Sequence, residues 1–580
     1  MKQKILEVIN NKYNLNLEDL KITNPPKKEL WDLAFNCGIL AKDLRKNPVL
    51  IAEELISELE KIDDVEFAKN DWAFINIKVD ESIFTKQFLK YLEKNNFEEL
   101  KKENSKRNIV IDYIWANVWK PLHIGHMCTP NQGQSMINIY KKLGYNVISD
   151  SHIGDWGIIF WKLILAYRNW WDEKKLQENA VDHLLELYIK ITDEIEKDSD
   201  LEQQIREEFE KLSKGDSESV KLWKSFTKES IKAMNVELGR LNVKPDFNIW
   251  ESFYEGLDLP KIEKYPDLKF SMEDIVKELV EWKIATKNND NSVWVEFDKN
   301  TKISSCILQK RDWTHWYLAS DLAAVKYRVE NWDSEKIIYF VDSRQQLHLK
   351  QTFEIADKIG WIGKEKLFHA YNWFISLKDW AMSTRKWKII KLDKLLDEAE
   401  VRASKIILEK RDDIDWKELK ELSRIIWIWA IKYWYLKKNR ETDVIFDWDE
   451  FMTFEGNSWP YIQYAYVRAI RILEKSPCSI SSIEREESLI LKEKEEINLI
   501  KKILEYKNIL LETTKNNYPH ILAKYSYELT KIFNSFYNNI HIISEKNENL
   551  KNLRLKLTKE FSIILKESFE LLGIEMPEKM

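Results

Sequence analysis

A chain of 580 residues exceeds what one hydrophobic core organises, since cores stop growing near roughly 250 to 300 residues, so several domains are expected. A formal charge of −6 excludes non-specific coating of nucleic acid, though a local basic face is still able to hold a structured RNA, and no stretch approaches the roughly 20 apolar residues that span a bilayer. The opening MKQKILEVINNKY lacks the apolar block of a secretory signal, so a cytoplasmic location is expected, with no membrane role.

Residues 1–100 begin at helical spacing, pass Pro25-Pro26, resume as helix near Asn47 to Ile62 and end in strand-like AFINIKV, the pattern of a small α+β domain. After the charged KKENSKR comes NIVIDYI, with the length and β-branching of a buried strand, then a loop and a helix from about Ile124. YNVISDS, SVWVEF and KIIYFVD continue as strands between helices, which predicts an α/β, Rossmann-like parallel-sheet domain over residues 101–395 with a charged helical insertion near 165–241. From about Leu392 the pattern is helical, with long segments at Lys417 to Lys438, Glu487 to Leu511, Pro519 to Asn538 and Asn549 to Leu572. An all-α bundle over 396–580 is expected.

Glycine and tryptophan usage is unusual. About 7% glycine would be roughly 40 residues, yet 13 are present beside 25 tryptophans, and several tryptophans sit in turn-like settings such as Asp312-Trp313-Thr314 and Trp459-Pro460. This pattern points to a genetic code in which UGA specifies glycine, read here as tryptophan. The alternative, an aromatic surface that stacks bases, fits poorly, because the tryptophans scatter through turns and stop after Trp459.

Chemistry concentrates in a few runs. Lys120-Pro121-Leu122-His123-Ile124-Gly125-His126 sets two imidazoles and a glycine at a helix N-terminus, where backbone N–H groups attract phosphate. Gly125 would admit the adenine ring close to the backbone, and His123 and His126 would donate to charge developing on pyrophosphate. Taken alone, the pair is equally compatible with two structural histidines. Ala381-Met382-Ser383-Thr384-Arg385-Lys386 is a run of cations and hydroxyls of the kind that closes over triphosphate, although such a run alone is more often a solvated surface. Cys37, Cys128, Cys306 and Cys478 lie far apart, so no protein-bound metal is expected.

The ordered pair HIGH and MSTRK resembles the class I aminoacyl-tRNA synthetases, and the surrounding residues resemble the arginine family over nearly the whole chain. NVWKPLHIGHM is similar to its NxxKPxHxGH segment, SHIGDWG to its GDWG turn, WYLASDLAA to its YxxxDxA segment and Gln345-Gln346-Leu347-His348 to its QxxH motif. GNSWPYIQYAYVR resembles the start of its anticodon-binding domain, LLGIEMPEKM its C-terminus, and ELWDLAFNCGILAKDLRKNP its N-terminal tRNA-contacting domain.

The resemblance implies that Asp321 and Asp112 face the substrate guanidinium, with Tyr317 and Gln345 beside them and Asn117 near the α-amino and carboxylate groups. It places ATP against His123, Gly125, His126, His348, Met382 and Ser383, with Lys120, Ser383, Arg385 and Lys386 as further catalytic residues. Carboxylates suit a planar five-donor guanidinium independently of the resemblance, and a site so built leaves charges unpaired when lysine or citrulline enters. The implied reaction joins L-arginine to tRNA(Arg) through an adenylate, with ATP and Mg²⁺, no DNA, a monomeric enzyme, and a requirement for tRNA in the first step. Tyr461, Tyr464 and Arg468 are the expected RNA contacts.

Some positions depart from the family pattern. Ala381 stands where many class I enzymes have lysine, so the charge falls to Lys120, and Asp112 is a methylene shorter than the common glutamate. Trp115, Trp119, Trp161, Trp250, Trp313, Trp380, Trp387 and Trp459 stand where the family has glycine or another small residue, whereas Trp156, Trp223 and Trp448 match family tryptophans. The rival readings are another class I enzyme, such as that for cysteine, whose zinc-ligating cysteines are absent here, and a catalytically inactive tRNA-binding relative, which the intact His123, His126, Lys120, Ser383 and Arg385 oppose.

Overall fold

The computed structural model describes residues 2–15, 22–23, 31–93, 97–198, 200–255, 265–311, 317–373, 375–377, 390–409, 413–451, 456–476 and 491–576. The chain packs as two compact units. One comprises 97–470, 506–530 and 562–580, and the other 1–96, 471–505 and 531–561, so the C-terminal helical region contributes to both. Among the described residues no helix is long and apolar enough to cross a membrane.

The larger unit is built on five parallel strands: β1 Asn108–Asp112, β2 Asn146–Ile153, β3 Phe247–Trp250, β4 Lys336–Tyr339 and β5 Leu367–His369. Their spatial order is β5-β4-β1-β2-β3, with β1 central. NIVID forms β1 because its run of apolar side chains is covered on both faces, as a parallel sheet requires. Helices α1 Cys128–Lys142, α2 Tyr317–Trp332 and α3 Gln346–Lys358 connect or flank the strands, followed by α4 Leu392–Leu408 and α5 Trp416–Leu436. Order along the sheet reverses beside β1, which opens a crevice at the carboxyl ends of β1 and β4, where ligands bind in such folds. The charged insertion is four helices, Ile158–Trp170, Glu173–Ile195, Asp200–Ser213 and Ser217–Arg240.

The smaller unit contains a four-stranded antiparallel sheet in the order Ile22–Thr23, Leu33–Asn36, Phe74–Val79, Val65–Asp71. FINIKV forms a strand because its alternate residues Ile75, Ile77 and Val79 all point into a core with Ile5, Ile9, Leu40, Ile51 and Leu55. Asn47 starts the helix Pro48–Leu59 by accepting the Val49 N–H (2.9 Å), with Pro48 in the first turn, where it has no hydrogen bond to lose.

Three expectations need correction. SVWVEF does not join the parallel sheet: Val293–Val295 pairs antiparallel with Ala285–Lys287 and Cys306–Gln309 in a separate three-stranded sheet. Short apolar runs look alike in either setting, and only pairing partners distinguish them. The helix after the first loop begins as a tight 3₁₀ turn, Ile124–Met127, before α1. The continuous helix expected over Glu487 to Leu511 is interrupted at Glu505, between Lys494–Leu504 and Tyr506–Asn516, and its first residues, to 490, lie outside the described ones. The division between units falls there, and Tyr506 is buried with its hydroxyl donating to Glu567 (2.9 Å).

Candidate active site

The loop leaving β1 is held by main-chain pairing to the end of β2. Asn117 forms a parallel bridge with Gly154, Val118 N–H donates to Gly154 O (3.1 Å), and Gly154 N–H donates to Ala116 O (2.9 Å). A Cβ on Gly154 would lie 2.3 Å from Asn117 Oδ1, so a side chain there would displace the Asn117 amide. Further along, Gly125 N–H donates to His123 Nδ1 (3.0 Å) and His123 N–H donates to His126 Nδ1 (3.1 Å), a capping box made of imidazoles. With each Nδ1 accepting, the proton of each ring sits on Nε2, free to donate to a ligand. Burial, then the charges of Lys120 and Arg344, pushes His123 down to about 4; burial, followed by His123, holds His126 well below its ordinary value, so both rings are neutral at physiological pH. Burial and the Arg344 charge likewise lower the half-buried Lys120.

The segment from residue 390 pairs with this turn. Ile124 N–H donates to Ile390 O (3.1 Å), Leu392 N–H donates to Leu122 O (2.9 Å), and His123 bridges antiparallel to Lys391. Met382, Ser383, Arg385 and Lys386 lie outside the described residues, but residue 390, where description resumes, abuts the histidine turn.

A second cluster is acidic. Asp321, on the first turns of α2, is 5% exposed, and His348 on α3 donates from Nε2 to its Oδ2. His152 Nε2 stands 3.7 Å from Asp321 Oδ1 and 3.9 Å from Glu251 Oε1. Burial opposes ionisation of Asp321, but the charge of His348 and its hydrogen bond outweigh it and lower the carboxyl pKa; the same pairing raises that of His348 against burial. Tyr317, four residues before Asp321 and on the same face of α2, is 52% exposed, and Gln345 is half-buried at the end of the 3₁₀ turn Ser343–Gln345. Asp155 of the GDWG run is buried, accepts the Ser252 N–H (2.9 Å) and is pushed up to about 7 by burial, so it anchors Glu251's neighbour and does not face a ligand.

Asp112 makes its hydrogen bonds inside the protein. Its Oδ1 accepts the Trp115 indole N–H (2.8 Å) and its Oδ2 accepts from Arg328 (2.7 Å), fully buried, so both oxygens are engaged within the protein. His348, expected against ATP, is bonded to Asp321.

Neutral histidines at a helix start and a buried acidic pocket thus lie at the carboxyl ends of one parallel sheet, and the chain carrying them is similar to known proteins along nearly all its length. The model for class I tRNA synthetases (R), catalytic domain, matches residues 89–448, the arginyl tRNA synthetase N-terminal domain residues 1–79, and the DALR anticodon binding domain residues 462–580. The chain belongs to the arginyl-tRNA synthetases. An arginine–tRNA ligase of Fusobacterium nucleatum is 37% identical, over 98% of this chain and 96% of that protein, and one of Clostridium botulinum is 35% identical over 100% of both. The arginyl-tRNA synthetase structure from Plasmodium falciparum superposes with TM-score 0.80 at 25% identity, covering 100% of this chain and 98% of that one. The Thermus thermophilus enzyme gives the same score at 22% identity and shares the fold.

Within this synthetase fold, four residues near the site escaped the sequence reading: His152, Glu251, Arg328 and Arg344. His152 and Arg344 adjoin recognised motifs, SHIGDWG and Gln345, and were legible as neighbours; Glu251 and Arg328 carry no local signal. The expected RNA contacts Tyr461, Tyr464 and Arg468 lie on one face of the helix Trp459–Lys475, with the Arg468 guanidinium 4.6 Å over the Tyr464 ring and Tyr464 56% exposed. Among the described residues no group of three or more histidine, cysteine, aspartate or glutamate side chains is arranged to hold a metal ion.

Proposed function

We propose that the acidic pocket receives the arginine guanidinium on Asp321, with Tyr317, Gln345 and Glu251 around it, and that the imidazole turn holds ATP. The observation that carries this is Asp321 itself: a nearly buried carboxylate held ionised by His348, at the crevice where a doubly wound sheet takes its ligand. Asp112 lies deeper in this reading, its Oδ2 held by Arg328 (2.7 Å).

Arginine's carboxylate is already a nucleophile and attacks the α-phosphorus of Mg²⁺-bound ATP in line; the bond to pyrophosphate breaks and arginyl-adenylate forms. His123 and His126 donate from Nε2 to phosphate oxygens, and Lys120, with Ser383, Arg385 and Lys386, neutralises the departing charge. The adenylate carbonyl then passes to the 2′-hydroxyl of the terminal ribose of tRNA(Arg), and AMP leaves carrying the pair of electrons of the broken C–O bond. Residues 1–100 serve as the appended tRNA-contacting domain, 101–395 as the catalytic domain and 396–580 as the anticodon-binding region of a cytoplasmic monomer. The family models support this division, the catalytic one running on to residue 448.

Asp321→Asn is expected to lower arginine-dependent charging of tRNA by about 100-fold or more, chiefly through the arginine KM, with ATP binding retained. A folded variant with unchanged arginine KM would move the guanidinium elsewhere.

A further inference from the structure

Beneath Asp321 lies a guanidinium that belongs to the protein. Arg328 is fully buried on α2, seven residues and two helical turns beyond Asp321, so both occupy one face. Its Nε and Nη2 donate to Asp150 Oδ2 (3.0 and 2.8 Å), Nη2 also donates to Asp112 Oδ2 (2.7 Å), and Nη1 donates to the Tyr339 hydroxyl (3.2 Å). These three partners form one row across three neighbouring strands, because Tyr339 of β4 is in register with Asp112 of β1, and Asp112 with Asp150 of β2. One side chain therefore ties together the ends of the three strands that border the crevice.

The groups are not matched one to one. One guanidinium stands against two carboxylates; burial raises the pKa of both acids, and the Arg328 charge works against that rise and favours their ionised forms. His152, two residues beyond Asp150 and on the same face of β2, rises from this row to Asp321. Tyr254, at 6.1 Å from the His152 ring, closes one side without adding charge.

We propose that Arg328 is a positioning residue that sets specificity for arginine: by fixing Asp112 and Asp150 in one row beneath Asp321, it gives the pocket a rigid, negatively charged floor that favours a cationic side chain over a neutral one of the same shape. This rests on the reading of Asp321 as the guanidinium contact. The resident guanidinium uses the fork geometry that lysine lacks, so charge alone does not replace it.

Two variants of the full-length enzyme test the proposal. Arg328→Lys keeps the charge but loses the fork. Asp150→Asn leaves Arg328 paired with Asp112 and so strands no buried charge. For each, the KM values for arginine and ATP are measured in tRNA charging, together with inhibition by citrulline, the neutral isostere, and the melting temperature. Each variant is expected to raise the arginine KM by about tenfold, leave the ATP KM within about twofold, and narrow the preference for arginine over citrulline. If arginine and ATP parameters change in parallel with melting, or if neither changes in a folded variant, Arg328 is structural only and the proposal fails. Should Arg328→Lys not fold, Asp150→Asn decides. Asp321→Asn in the same assay separates the two ideas: normal arginine KM there sinks the reading of Asp321, whereas a raised KM there beside a normal one in Asp150→Asn sinks only the role of Arg328.

Discussion

Trp72 shows at a single residue what the composition shows in bulk. It sits at φ +52°, between the paired strands Val65–Asp71 and Phe74–Val79, 81% exposed, in the left-handed region that glycine enters without cost and a bulky side chain avoids. Trp161, Trp250, Trp429 and Trp459 bury indole N–H groups that find no acceptor among the described residues, whereas Trp223, which matches a family tryptophan, donates to Asp155 O (3.3 Å). Trp119 stacks on Tyr188 at 4.1 Å immediately before Lys120, and Trp115 lies against His152 in the acidic pocket, where glycine would leave room for substrate. Peptide mass spectrometry of the protein from its natural host is expected to return glycine at positions 72, 115, 119, 250 and 459 and tryptophan at 223; tryptophan at 115 and 119 would end the idea. A second residue-scale prediction concerns pH. Asp321 raises the His348 pKa above its ordinary value, so the imidazolium–carboxylate pair persists below that pKa and is lost as pH rises through it. Arginine, charged throughout, replaces that proton on Asp321. The arginine KM should therefore fall as pH is raised between about 6 and 9, and His348→Gln should flatten the dependence; a wild-type KM that rises with pH would contradict it.

At the scale of elements, the approach of α1 to β1 is set by one glycine. A Cβ at Gly133 would stand 2.4 Å from the Cβ of Tyr113, the residue after β1, so the helix reaches the sheet only without a side chain there. Gly133→Ala is expected to cost about 1 to 3 kcal/mol, read as a lower midpoint in denaturant unfolding; an unchanged midpoint would mean that α1 shifts freely. The same packing positions the imidazole turn, because the turn Ile124–Met127 runs directly into α1. Strands with strong β-branched runs, such as NIVID and KIIY, were legible from composition and length. The membership of SVWVEF in a separate sheet was not, since hydrogen-bond partners lie outside the segment.

Across the whole molecule, the end of the chain helps build the larger unit. Leu572 and Ile574 are buried; Ser135 Oγ of α1 donates to Leu572 O (3.2 Å), and the fully buried Lys432 donates to Gly573 O (3.0 Å) and Leu241 O (2.7 Å). Deleting residues 571–580 removes one of the two carbonyls that hold the Lys432 ammonium and exposes the underside of α1. The truncated protein is expected to melt several degrees lower and to lose charging activity even though no catalytic residue is touched; a truncated enzyme of normal stability would show that the tail is dispensable. The motif LLGIEMPEKM was recognisable by its likeness to relatives, but its packing against α1 joins residues more than 400 positions apart.

By itself, the sequence determined the class of fold, the order of motifs and the type of chemistry, because those depend on local period, capping and residue type: an apolar strand, a helix start with imidazoles, an acid on a helix face. Tertiary structure alone decided which groups meet. Asp112, Asp150, Tyr339 and Arg328 are scattered over 228 positions and come together only through the register of three strands and the placement of α2. The pairing of His348 with Asp321, and that of Asp112 with Arg328, follow from that assembly, since the strand register and the placement of α2 bring those side chains together.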